Sequence, residues 1–170
     1  MGNAVKQRIG ALQKLLAQEN IDFYIVPTAD YHSSEYVSDY FKMRAFLSGF
    51  TGSAGTLVVG NEEAGLWTDG RYFVQAEKEL EGSGIVLYRM EEEGVPTIKE
   101  YLGKQVTEGQ TIGFDGRVVS ASFGKELEEA LADKDVKFVY DRDVAAQLWK
   151  DRPAMPMSRL WIVPEESCGM

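Results

Sequence analysis

Cysteine and histidine are almost missing from this chain of 170 residues, each occurring once, as Cys168 and His32. A single cysteine forbids an intrachain disulfide, and such usage suits a reducing, cytoplasmic compartment. A single histidine is too few for most metallohydrolase sites, which draw on several imidazoles. Positive charge is short as well, with 18 Lys and Arg against 27 Asp and Glu and a formal net charge of -9. That deficit argues against a polyanion-binding surface and makes nucleic acid a poor partner. No apolar run reaches the roughly 18 residues of a membrane-spanning helix. Residues 1–6 lack an apolar signal core, and Lys6 stands where a myristoylation signal wants Ser or Thr. What is there, 44% apolar and 26% charged residues, is the balance of one soluble folded domain.

The order of patterns predicts α/β layers. Val5, Ile9, Leu12 and Leu16 recur on one helical face, and Asn20 is placed to end that helix. Residues 22–26 form a short apolar run closed by Pro27, as in a buried strand. Residues 28–54 read as a long irregular loop, a kind that is often functional. Residues 55–60 and 64–68 then suit a hairpin, which makes the sheet mixed. Asp69 is the expected N-cap of a helix with Tyr72, Phe73, Ala76 and Leu80 on one face. Further strands are expected at 85–90, 111–115 and 136–140. A short helix should pass through Ile98 and Leu102, and a longer one over 120–131 should turn Phe123, Leu127, Ala130 and Leu131 inward. Residues 149–156 hold two of the five prolines and read as a linker. Residues 160–164 read as the first strand of a further unit. The expected division is a domain over 1–152, followed by a linker and the cut-short start of a second domain over 153–170.

Four features invite chemistry. The glycine cluster Gly49-Phe50-Thr51-Gly52-Ser53-Ala54-Gly55 precedes a strand rather than a helix and lacks Gly-Lys-Ser/Thr, so turning and close packing explain it better than a phosphate site. His32, with Asp30 and Glu35 nearby, is a weak basis for a metal site, and a hydrogen-bonded loop histidine is the better reading. Ser34 and Ser53 lack a nucleophile elbow, and Cys168 stands in a terminal tail expected to be mobile. Trp67-Thr68-Asp69-Gly70-Arg71-Tyr72-Phe73 is the densest signal. It puts Arg71 at the lip of the sheet, where its fork of donors suits either a ligand's carboxylate or peptide carbonyl, or a loop-stapling ion pair such as one to Asp30.

Four ordered blocks carry a resemblance: Asp30-Tyr31-His32-Ser33-Ser34-Glu35-Tyr36, the stretch from Arg44 to Thr56, Trp67 to Phe73, and Trp149-Lys150-Asp151-Arg152-Pro153. Together they resemble the N-terminal part of Xaa-Pro aminopeptidases (aminopeptidase P), three-domain cytosolic members of the creatinase/prolidase superfamily. The resemblance implies a ribonuclease-H-like α/β domain with a mixed, six-stranded sheet flanked by helices. It also implies a second domain of similar fold, then a pita-bread domain binding two metal ions, usually manganese, through two Asp, one His and two Glu. Such enzymes release the N-terminal residue of peptides whose second residue is proline, their paired metals activating a bridging water. None of that catalytic machinery is expected in this chain, which by itself should be inactive and hold no cofactor. The implied role is closure of the peptide site and contact with the other domains or with a second subunit. Arg71 would reach the peptide, supported by Asp69 and Tyr72, while His32 and Glu35 lie in a matched block without an assigned role. Two other readings stay open: a stand-alone interaction or dimerisation module, and a ribonuclease-H-like nuclease, which needs carboxylates clustered around magnesium.

Overall fold

A computed structural model describes residues 2–159 and 161–167. Its first helix, α1 (Gly2–Gln18), forms where the apolar spacing of four, three and four places Val5, Ile9, Leu12 and Leu16 on one face, and all four are buried. Each contributes about 2 kcal/mol by leaving water. The helix ends at Asn20, whose φ of 55° is the left-handed conformation that Asn tolerates. The chain then enters β1 (Phe23–Pro27), the strand around which the sheet is built.

β1 pairs antiparallel with β2 (Thr56–Gly60) and parallel with β5 (Thr111–Phe114). β2 forms the expected hairpin with β3 (Ala64–Thr68), which pairs parallel with β4 (Ile85–Arg89), while β5 pairs parallel with β6 (Lys137–Val139). The result is a mixed six-stranded sheet in the order β4-β3-β2-β1-β5-β6. Its strands read as continuous apolar runs because both faces are covered. Tyr24, Val26, Leu57, Val59 and Leu66 pack toward α1, α2 (Met43–Ser48) and α3 (Phe73–Glu79). Phe23, Ile25, Val58, Trp67 and Ile112 pack on the other side, where α4 (Ile98–Gln105) contributes Leu102 and α5 (Ala121–Ala130) contributes Leu127.

Several local expectations change. The segment 28–54 is not irregular throughout, since it holds a 3-10 turn at Asp39–Phe41 and the helix α2. The buried residues of α2 include Arg44 and Ser48 beside Met43 and Leu47, so its inward face carries no continuous apolar period. Asp69 is not an N-cap: α3 begins after Tyr72 without any side-chain cap, because the Asp69 carboxylate is taken up by Arg71. Ala130, expected inward, is exposed at the end of α5. The start of α4 carried an unread signal, a capping box in which Thr97 and Glu100 satisfy each other's main-chain N–H.

Trp149 and Arg152 are tied to the segment between β1 and β2. Trp149 stacks on Phe46 at 4.5 Å. Arg152 pairs with Asp143 at 2.7 Å, donates to the Tyr40 carbonyl and lies 4.0 Å over the Tyr40 ring. Beyond it residues 153–159 are mostly exposed, and none of residues 161–164 is in a strand; Leu160 and Cys168 lie outside the described residues. Among the described residues no helix is long and apolar enough to cross a membrane.

Candidate functional site

Topology alone brings the singled-out blocks together. β3 runs parallel to β1, so the loop leaving β1 and the turn leaving β3 emerge at the same end of the sheet. The first loop carries Glu35 and Ser53, and the turn carries Asp69, Arg71 and Tyr72.

Asp30 shapes the entry to the loop. Its Oδ1 accepts from the main-chain N–H of His32 at 2.8 Å and of Ser34 at 3.0 Å, and Ser33 takes a φ of 58°. These bonds, that from Ser34 first, hold the Asp30 carboxyl below its ordinary pKa. Asp30 therefore staples backbone, and the ion pairs of Arg71 are made instead with Glu35 and Asp69. His32 enters this arrangement through its main-chain N–H.

The glycine segment is anchored from beneath by Arg44, which is only 3% exposed. Its Nη1 donates to the Phe50 carbonyl at 2.6 Å, its Nη2 to the Gly52 carbonyl, and its Nε to Thr28 Oγ1 at 2.8 Å. Burial pushes its pKa down to about 10, so it remains charged at neutral pH. From the other side Glu79 accepts from the Thr51 N–H and hydroxyl at 2.8 and 2.7 Å. Gly52 is required by packing: a Cβ there would stand 2.7 Å from the Tyr72 ring, inside contact distance. With these groups committed, the cluster positions Ser53 and is not built as a phosphate cradle.

Arg71 is the centre of the arrangement. Its Nε and Nη2 both meet the Asp69 carboxylate at 2.9 Å, a bidentate grip reinforced by the Arg71 main-chain N–H. Its Nη1 donates to Glu35 Oε1 at 2.8 Å. The same oxygen accepts from Ser53 Oγ at 2.8 Å, and the Tyr72 hydroxyl, 2.6 Å from Ser53 Oγ, is then left to donate to it. The Arg71 side chain nevertheless remains 58% exposed. The structure thus joins Arg71, Asp69, Tyr72 and Glu35 in one network and adds Ser53. A cleft of about 280 Å³, lined among others by Glu35, Tyr36, Lys42, Arg44 and Ser53, opens beside it.

Glu35 is held below its ordinary pKa by the Ser53 hydroxyl and then by Arg71, and Asp69 by Arg71. Arg71 is raised in turn, by Asp69 first. For depressed carboxyl groups the favourable interaction is fully present above the ordinary values of 4.5 and 3.8, and is lost as pH falls through the lower folded values. An NMR acid titration should give Glu35 and Asp69 midpoints below those values, with the Arg71 Nε resonance moving in step. A Glu35 midpoint at or above 4.5 would contradict the network.

These donors do not fit a metal centre. Glu35 and Asp69 are spent on Arg71, Glu79 is spent on Thr51, and no group of three or more His, Cys, Asp or Glu converges among the described residues. The sequence does not mark Glu79 and Arg44 as site residues: Glu79 meets Thr51 across 28 positions, and Arg44 is a buried cation on a helix that the apolar pattern does not mark.

Residues 8–147 match the family model of the creatinase/prolidase N-terminal domain. Aminopeptidase P2 of Arabidopsis thaliana is 40% identical over 159 residues, taking in 91% of this chain and 22% of that protein. The protein named "Probable Xaa-Pro aminopeptidase P" of Talaromyces marneffei is 41% identical over 165 residues, 96% of this chain and 25% of its own length. The chain thus spans about a quarter of these relatives. Among solved structures, X-prolyl aminopeptidase from Caenorhabditis elegans, described as a cytosolic enzyme with a di-nuclear active site, matches with a TM-score of 0.80 at 30% identity, over 92% of this chain and 26% of that one. The N-terminal domain of cytoplasmic peptidase PepQ from Mycobacterium tuberculosis H37Rv matches at 0.58 and 26% identity, over 84% of this chain and 98% of that one. Because the family model covers most of the chain and the fold of the chain matches these structures, this chain belongs to the creatinase/prolidase N-terminal domain family.

Proposed function

We propose that this chain serves as the N-terminal, non-catalytic domain of a cytoplasmic Xaa-Pro aminopeptidase, presenting Arg71 to the bound peptide. The observation that carries this reading is a guanidinium fixed by two carboxylates, yet more than half exposed at the lip of the sheet. Such a group is preorganised, so little side-chain entropy is lost when it meets a ligand. Asp69 sets its plane, Glu35 fixes its outer amino group, and Tyr72 holds Ser53 against Glu35. In this reading the two metal ions, manganese by family resemblance, belong to a separate catalytic domain and supply the activated water there. The surfaces past Arg152 then meet the other domains or a second subunit.

The isolated chain supplied with manganese should leave an Xaa-Pro peptide intact in an assay that detects the full-length enzyme readily. Turnover by the isolated chain at a comparable rate would sink the assignment.

A further inference from the structure

The charge around Arg71 decides which peptide group it accepts. The guanidinium carries one positive charge and is held by two ionised carboxylates, those of Glu35 and Asp69. The neighbouring cations are offset by other carboxylates. Lys42 pairs with Asp39 at 2.6 Å, and the charge of Glu79, which is held by Thr51, acts on the buried Arg44 without an ion pair. The cluster is therefore negative overall. A guanidinium has five N–H donors. Asp69 takes one from Nε and one from Nη2, Glu35 takes one from Nη1, and one N–H on each terminal nitrogen is left over.

Two spare donors in a negative surround suit a neutral acceptor. A main-chain carbonyl takes up such N–H groups without bringing charge. A free carboxylate would meet two like charges within a few ångströms, which disfavours it. Asp69 is bound up in the local turn through three bonds, main-chain N–H included, so it cannot step aside without releasing the Arg71 side chain. Glu35 comes from 36 positions away on the exposed loop and is the separable member of the pair.

The geometry points to Glu35 as a specificity-determining residue: it occupies one arm of Arg71 and leaves the cluster negative, so that this position accepts a carbonyl of a peptide chain that continues past it and rejects a chain that ends there in a free carboxylate. The inference rests on the reading of Arg71 as the peptide contact.

The test uses the full-length enzyme that carries this domain and matched Xaa-Pro peptides of increasing length, each made as the C-terminal acid and as the amide. For the wild type, one length should show kcat/KM at least about tenfold higher for the amide than for the acid, the penalty of one unfavourable charge contact. Glu35→Gln keeps the size and an acceptor oxygen but removes the charge, and should bring that ratio close to one, chiefly by improving the acid. Glu35→Ala, which removes the charge together with the side chain, is the second variant and should likewise bring the ratio toward one; it gives the deciding measurement if Glu35→Gln does not fold. Arg71→Ala should depress acid and amide alike. If Arg71→Ala changes neither, the reading of Arg71 itself fails. If Arg71→Ala lowers both but no length of wild-type substrate discriminates, or the ratio survives in the folded Glu35 variants, the role given to Glu35 is overturned while that of Arg71 stands.

Discussion

Arg44→Ala should lower the stability of the domain by roughly 3–5 kcal/mol, since it strips a buried charged donor from three oxygens. Each hydrogen bond to a charged group is worth about 1.5–3 kcal/mol, and the carbonyls of Phe50 and Gly52 would be left poorly satisfied beneath the loop. Water entering the vacated space offsets part of the sum, which sets the upper limit. For a domain of this size the loss corresponds to about 10 °C in thermal midpoint. Arg44→Lys should recover only part of it, because one ammonium cannot reproduce the planar fork that reaches Thr28, Phe50 and Gly52 together. Thermal unfolding followed by circular dichroism reads the series. An Arg44→Ala midpoint within 2–3 °C of wild type, less than about 1 kcal/mol, would show that the loop does not depend on this anchor.

A loss of comparable size, about 3–5 kcal/mol, is expected for Trp67→Ala. Trp67 is 1% exposed, stacks face to face on Tyr88 at 4.0 Å, meets the Tyr101 ring edge-on at 5.0 Å and donates from Nε1 to the Pro96 carbonyl at 2.8 Å. It therefore binds β3 to β4 and to the segment before α4, one residue ahead of the end of the strand that feeds Asp69 and Arg71. Trp67→Phe retains a ring for Tyr88 and should cost about half as much, losing the indole N–H and part of the buried area. Chemical denaturation gives both values, and equal losses for Phe and Ala would contradict the stacking argument.

The sequence showed much of this because the strongest signals were periodic. The Val5-Ile9-Leu12-Leu16 stripe, the apolar run into Pro27 and the hairpin around 61–63 each found their place within a residue or so of the expected bounds. The helix α2 did not show, because its inward face mixes Met43 and Leu47 with Arg44 and Ser48. The site was half legible. Trp67 to Phe73 marked Arg71 as a residue at the sheet lip, and the choice between a ligand contact and a loop staple could not be made from spacing. The fold shows why the choice was too narrow: Arg71 is stapled, by Asp69 and Glu35, and remains exposed enough to bind. Contacts such as Glu35 to Arg71 and Glu79 to Thr51 join residues far apart in the chain, and only the meeting of two loops at one end of the sheet reveals them.

The central claim, that this domain contributes Arg71 to the peptide site of a larger Xaa-Pro aminopeptidase, is tested most directly by steady-state kinetics of the full-length enzyme with Arg71→Ala. Removing a charged hydrogen-bond donor to the bound peptide should cut kcat/KM on a long Xaa-Pro peptide by about 10- to 100-fold. The fold should be untouched, because Arg71 is exposed. An Arg71→Ala enzyme that is folded and cleaves the long peptide with wild-type kcat/KM would contradict the account.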